Sequence, residues 1–223
     1  MKLVLASGSQ RRRELLTMCG YDYEIIVSNA DETIDENDPE SFVRALSFRK
    51  AKDVFDRLFA AGRRDFAVIG SDTVVAFQKD GGTKPVIIGK PKDAKDAVRI
   101  LSMLSGKTHR VFTGVSVIAD IPDENAAAQC SIREKAEIQT ECSITEVTFE
   151  TLSPDEIADY VNSGDPLDKA GSYGIQGPFG MFVREIRGNY FTVIGMPIPV
   201  LYKMLKKIGI LPHGFYERIE KSK

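Results

Sequence analysis

Two hydrophobic periods alternate along the chain. Short apolar runs with a two-residue beat give way to longer stretches in which apolar residues recur every three or four positions. The first is the period of a strand and the second that of an amphipathic helix. Residues 2–6 read as a buried strand running into the polar turn Ser7-Gly8-Ser9, with a helix over 11–18 that stops at Gly20. Residues 23–27 form a second strand. Asp38-Pro39 is a helix start, an acidic cap before a first-turn proline. The spacing predicts that this helix reaches Gly62 on a stripe of Phe42, Ala45, Leu46, Ala51, Val54, Phe55 and Leu58.

Residues 66–70 and 74–77 read as two strand halves on either side of Ser71-Asp72-Thr73, and the turn Asp80-Gly81-Gly82 leads to a short strand at 86–88. Ala94, Ala97, Val98, Leu101 and Leu104 have helical spacing, with Gly106 at the stop. A strand over 110–119, a polar, Ala-rich loop or hairpin tip over 121–136, and a long strand over 137–150 with a bulge near Thr145 come next. Ser153-Pro154-Asp155-Glu156 is a capping box. Residues 182–186 and 191–194 read as a hairpin through Gly188-Asn189, and Pro197 opens a last helix ending near Gly209. This order predicts an α/β fold, a mixed sheet with helices packed on it. Residues 1–210 are expected to form one domain, open to division into two lobes about a central cleft, with 211–223 as a C-terminal tail.

With 223 residues and 43% hydrophobic content, the chain can bury a full core. Its net charge of -2 argues against polymeric nucleic acid as a partner. No apolar run is long enough to span a bilayer, and the first six residues turn polar too soon for a secretory signal, so no membrane association and a cytoplasmic location are expected. Cys19, Cys130 and Cys142 are odd in number and widely spaced, the pattern of reduced structural thiols. His109 and His213 are too few for a histidine-rich metal site. A divalent cation here would rest on carboxylates and phosphate oxygens, which suits Mg²⁺, with Mn²⁺ or Co²⁺ as substitutes.

Three segments carry candidate chemistry. Asp168-Lys169-Ala170-Gly171-Ser172-Tyr173-Gly174-Ile175-Gln176-Gly177 joins an acid, a base and an amide on a glycine-punctuated backbone that can approach a ligand. Ser7-Gly8-Ser9-Gln10-Arg11-Arg12-Arg13 places three arginines at a helix start, where unpaired N–H groups attract anions and the dipole disfavours cations. A bound polyphosphate would resolve that conflict; a solvated charge run is the other reading. Asp72 follows an apolar strand, where a carboxylate needs a partner or a task, as base or metal ligand, unless it merely caps a turn. Glu32 is a second metal-facing carboxylate or a solvated acid, and Lys50 and Lys90 are phosphate-neutralising cations or exposed charges. No Gly-x-x-x-x-Gly-Lys-Ser/Thr loop and no dinucleotide fingerprint occurs. Together the segments point to an enzyme that handles polyphosphate.

In this order the motifs resemble the Maf family of nucleoside triphosphate pyrophosphatases. The resemblance runs over residues 3–205 and includes Ser7-Gly8-Ser9-Gln10-Arg11-Arg12, Glu32, Lys50-Ala51, Gly70-Ser71-Asp72-Thr73, Gly89-Lys90-Pro91, Leu104-Ser105-Gly106 and the segment 168–177. The family usually has proline where Gln10 stands, and residues 122–135 look longer than usual. The resemblance implies an elongated α/β fold related to the inosine-triphosphate pyrophosphatases, and a homodimer. It implies cleavage between the α- and β-phosphates, with Asp72 as proton acceptor and Glu32 and Asp72 facing Mg²⁺. Ser9, Arg11, Arg12, Lys50 and Lys90 would hold the triphosphate, with Ser7 and Lys169 counted among the substrate-binding residues. The Tyr-Gly-Ile-Gln-Gly form is similar to the branch acting on dTTP and UTP, in which Arg11, Thr73 and Gln176 fall where specificity is set. The competing class is a nucleotide-sensing regulator of cell division in which hydrolysis is incidental.

Overall fold

In the computed structural model, which describes residues 1–78, 85–121 and 136–213, seven strands join in one sheet. They are β1 (Lys2–Leu5), β2 (Glu24–Ile25), β3 (Phe66–Phe77), β4 (Val86–Ile88), β5 (Thr108–Asp120), β6 (Ala136–Phe149) and β7 (Val183–Arg187). The order across the sheet is β2-β1-β3-β5-β6-β7, with β4 also paired to β3. β1 runs parallel to both neighbours, and the other pairs are antiparallel. This is the mixed α/β architecture the periodicities predict. The expected turn at 80–82, most of the loop at 121–136 and the end of the tail lie outside the described residues.

Among the described residues, six α-helices cover the sheet: α1 (Gln10–Met18), α2 (Pro39–Ala60), α3 (Ala94–Leu104), α4 (Pro154–Asn162), α5 (Tyr190–Ile194) and α6 (Ile198–Lys207). Strand alternation divides the core between two faces. Val4, Ala6, Phe66, Val68 and Ile118 pack under Ala51, Val54 and Phe55 of α2. Leu3, Leu5, Ala67, Ile69, Val115 and Val117 pack under α1 and α6 on the other face. Farther along the same strands, Val75, Phe77, Val111 and Val147 meet α3 and α4.

α2 lies unusually close to the sheet because two strand residues have no side chain. A Cβ at Gly70 would sit 2.2 Å from the Ser47 carbonyl oxygen, and one at Gly114 2.2 Å from that of Val43. The Asp38 side chain caps α2 by accepting from the Ser41 amide, and Ser153 and Glu156 form the expected capping box on α4.

Five local expectations are corrected. Residues 66–77 are one continuous strand rather than two halves, since β5 pairs with it without a break from Ala67 to Ala76. The strand at 23–27 shrinks to two residues. On α2 and α3, Ala45 and Val98 face solvent while Val43 and Ile100 are buried. No bulge interrupts β5 and β6 at Thr145; the irregularity falls at Thr148 and Phe149, against β7. Residues 191–194 belong to α5, which Asn189 caps by accepting from the Phe191 amide and Gly195 ends in the left-handed region at φ 110°.

Candidate functional site

The site grows from a gap in the sheet. On one edge of β3, β1 pairs with Phe66 to Ile69 and β4 pairs with Val75 to Phe77. Between them the edge from Gly70 to Val74 carries no strand among the described residues. There β1 ends and the chain turns through Ser7, Gly8 and Ser9 into α1. A cleft of about 800 Å³ opens at this point. Every candidate residue read from the sequence lines it: Ser7, Ser9, Arg11, Arg12, Glu32, Lys50, Asp72, Thr73, Lys90, Lys169 and Gln176.

Asp72 is 8% exposed and points toward α2, where Lys50 Nζ donates to its Oδ1 at 2.7 Å. The same ammonium stands 2.9 Å from Glu32 Oε1, so one lysine joins both carboxylates. Glu32 remains 67% exposed toward the opening. Their oxygens suit a hard cation, which takes one or two carboxylates and completes its shell with water and phosphate. Among the described residues no group of three or more His, Cys, Asp or Glu offers a softer or protein-only metal site.

Thr73, the next residue along, points to the opposite face. Arg12 spans this side: its Nε donates to the Gly195 carbonyl at 2.8 Å, and its terminal nitrogens to Ser7 Oγ at 3.2 Å and Thr73 Oγ1 at 3.4 Å. Burial lowers the Arg12 pKa from its ordinary value, partly opposed by the charge of Asp72. Ser9 occupies the cap position of α1 without capping it through its side chain, and no acidic residue stands in the first turn. The helix N-terminus therefore keeps its anion-attracting N–H groups open to the cleft.

The far wall is the segment 165–176. The three hydrogens of the Lys169 ammonium meet the Asp165 carbonyl at 2.5 Å, Asp165 Oδ1 at 3.0 Å and Asp168 Oδ1 at 2.7 Å. In this state Lys169 knits the wall together. Asp168 in turn meets Arg11 at 3.4 Å. Burial pushes the Asp168 pKa upward, but Lys169 and Arg11 outweigh it and hold the carboxyl below its ordinary value. Tyr160 of α4 donates to Asp165 Oδ2 at 2.5 Å and accepts from the Gly174 amide at 3.0 Å. Burial and the Asp165 hydrogen bond raise this phenol well above its ordinary pKa, so it keeps the proton it donates. Gln176 is exposed at the mouth, and Lys90 on the facing loop makes no ion pair among the described residues.

His109 lies outside the cleft, 3.0 Å from the Tyr173 hydroxyl and edge-on to Phe149, where burial lowers its pKa to about 3. Cys19 and Cys142 are free thiols, and Cys130 lies outside the described residues. Sequence reading missed Tyr160, Asp165, Thr113 and the apolar lining from Phe42, Leu46, Ile87 and Val193. None of these stands inside a motif; strand register and helix packing bring them in.

The Maf-like protein family model matches residues 2–208. A dTTP/UTP pyrophosphatase of Agathobacter rectalis is 40% identical over 217 residues, covering 94% of this chain and 98% of its own length. The dTTP/UTP pyrophosphatase of Bacillus thuringiensis subsp. konkukian is 42% identical over 210 residues, covering 94% and 96%. Among solved structures, the Ham1 protein of Staphylococcus aureus covers 93% of this chain and 99% of its own at 12% identity, with a TM-score of 0.46. With the family model spanning nearly the whole sequence and relatives of this identity matching end to end, the chain belongs to the Maf-like protein family.

Proposed function

We propose that this protein hydrolyses dTTP and UTP to the nucleoside monophosphate and pyrophosphate. The observation that carries the reading is the Asp72–Lys50–Glu32 cluster, set in one cleft with Arg11, Arg12 and the open N-terminus of α1. The names of relatives at 40% and 42% identity support the nucleotide class.

Cleavage of a phosphoanhydride asks for charge neutralisation, a placed water and a base rather than covalent chemistry. Asp72 takes a proton from the water that attacks the α-phosphorus, and pyrophosphate leaves. Lys50 holds the Asp72 carboxylate and adds positive charge; Arg11, Arg12, Lys90 and the α1 amides meet the phosphate oxygens. Glu32 and Asp72 would hold a divalent cation, most simply Mg²⁺, which would neutralise phosphate charge. Gln176 meets the base edge. The resemblance supports a homodimer, and the lack of a long apolar run or early secretory pattern in the sequence supports a cytoplasmic setting.

A pyrophosphate-release assay over a nucleotide panel tests the activity, and Gln176→Ala tests the reader. We expect dTTP and UTP to lead, and the variant to lower kcat/KM on both by about 1–3 kcal/mol in transition-state terms, with a smaller effect on CTP. Nucleotide binding without pyrophosphate release would move the protein to the regulatory class. Equal losses on all three substrates would make Gln176 a support of the loop.

A further inference from the structure

Thr73, Thr113 and Ser143 stand opposite one another across β3, β5 and β6. α5 closes this row of hydroxyls, and the row has a direction. A threonine hydroxyl carries one hydrogen and can accept on its remaining lone pairs. Thr113 Oγ1 donates to the Thr192 carbonyl oxygen at 2.7 Å, and a carbonyl only accepts, so that hydrogen is committed. Thr113 is 0% exposed, which keeps bulk water from offering an alternative. The Thr192 carbonyl is itself fixed: Asn189 caps α5, and Thr192 Oγ1 meets Ser143 Oγ at 2.7 Å.

The 3.0 Å contact between Thr73 and Thr113 is then a bond that Thr73 donates. Its hydrogen points into the protein, away from the cleft. Toward the cleft Thr73 has only acceptor capacity, part of it facing Arg12 at 3.4 Å. Turning the hydroxyl toward a ligand would leave the buried Thr113 oxygen without its donor, a penalty of about tenfold in equilibrium.

We propose that Thr113, which does not line the cleft, is a specificity-positioning residue that makes Thr73 an obligate acceptor, selecting nucleotides that bring a hydrogen donor to it. The proposal rests on the dTTP/UTP reading. Both nucleotides carry two donors that fit, the base N3–H and the sugar 3′-hydroxyl. CTP has an acceptor at N3, and a 3′-deoxynucleotide lacks the hydroxyl. The 2′-hydroxyl, by which UTP and dTTP differ, is not required.

The test compares the parent, Thr113→Val and Thr113→Ser on UTP, CTP and 3′-deoxy-UTP. The parent should prefer UTP over CTP, if the base is the donor, or over 3′-deoxy-UTP, if the sugar is, by about tenfold. Thr113→Val keeps the shape and frees the Thr73 hydroxyl, so that preference should shrink by about fivefold or more. Thr113→Ser restores the hydroxyl and should keep it, which a purely structural role would not require. An undiminished preference in Thr113→Val, or an equal loss in Thr113→Ser, overturns the proposal. Should Thr113→Val not fold, Thr73→Val at the half-buried cleft position must lose the same preference, and its retention overturns the proposal equally. Dissociation constants for the α,β-imido forms of the three nucleotides read the same ratios without turnover. An inactive parent that still shows them would refute the hydrolytic reading and leave this one standing.

Discussion

Gly70→Ala perturbs the site without touching a reacting atom. The added Cβ would lie 2.2 Å from the Ser47 carbonyl oxygen, 2.6 Å from the Ala51 amide nitrogen and 3.0 Å from Ala51 Cβ. The first two are helix backbone and cannot rotate away. Ordinary contact starts near 3.4 Å, so α2 has to retreat by about 1 Å. Overpacking of this kind costs about 1–3 kcal/mol, and the backbone contacts place Gly70→Ala at the upper end. The retreating turn carries Lys50, now 2.7 Å from Asp72, out of hydrogen-bond range. A misplacement of about 1 Å in a catalytic constellation is worth up to about 10²-fold in rate. Gly114→Ala is the comparison: its Cβ would meet Val43 at the same 2.2 Å, two turns before Lys50, although it lies opposite Asp72 across β3 and β5. Urea unfolding should show similar destabilisation of both variants, while pyrophosphate release should fall further in Gly70→Ala. Equal loss of activity in the two, or a Gly70→Ala protein within about 0.5 kcal/mol of the parent, would refute the reasoning.

Asp72→Asn keeps the size of the side chain and removes its basicity, so kcat should fall by about 10²-fold or more while UTP still binds; near-normal turnover would remove Asp72 from the role of base. EDTA should abolish activity and Mg²⁺ or Mn²⁺ restore it, with Glu32→Gln needing more metal; full activity in metal-free buffer would contradict the carboxylate site. His109 stays neutral in the folded protein down to about pH 3, whereas an unfolded histidine protonates below about 6.5. Its contribution to stability is therefore complete above that value and is lost as pH falls, at about 1.4 kcal/mol per unit. Unfolding at pH 6.5 and 5.0 should differ by about 1.5 kcal/mol in the parent and much less in His109→Gln; equal differences would place the acid sensitivity elsewhere.

Local chemistry was legible where it is self-contained. The Asp38 cap with its proline and the Ser153–Glu156 box act within one helical turn, and the structure forms both. Tertiary context defeated the same reasoning around Thr145 and residues 190–194. Tyr190, Phe191, Thr192, Val193 and Ile194 are aromatic and β-branched, the composition of a strand. Asn189 instead starts a helix, held because its amide donates to Thr145 Oγ1 at 2.9 Å and its carbonyl accepts from the same hydroxyl at 3.0 Å. That buried threonine also broke the alternation expected of β6, which is why it read as a bulge. The motif residues of the cleft were legible because each motif marks a chain segment that borders the cleft. Thr113 and Tyr160 were not, since only strand register and the docking of α4 give them a role.

The uncovered stretch of β3 explains how neighbouring residues line one cleft from opposite faces of the sheet. Side chains alternate along a strand, so Asp72 turns toward α2 and Lys50 while Thr73 turns toward Arg12 and α5. In the middle of a covered sheet, two such residues would line separate spaces divided by the next strand. Here β1 stops at Leu5, one residue before its path would meet Gly70, and β4 resumes the pairing only at Val75. The missing strand leaves an opening in the plane of the sheet, bordered by α2 and Lys50 on one face and by Arg12 and Gly195 on the other. On the proposed reading, a nucleotide in that opening would meet the water-activating carboxylate on one face and the acceptor hydroxyl on the other. The shortness of β1 is therefore part of the site: strand pairing continued through Ala6, Ser7 and Gly8 would cover Gly70 to Asp72, narrow the gap to Thr73 and Val74, and carry the α1 N-terminus away from Asp72.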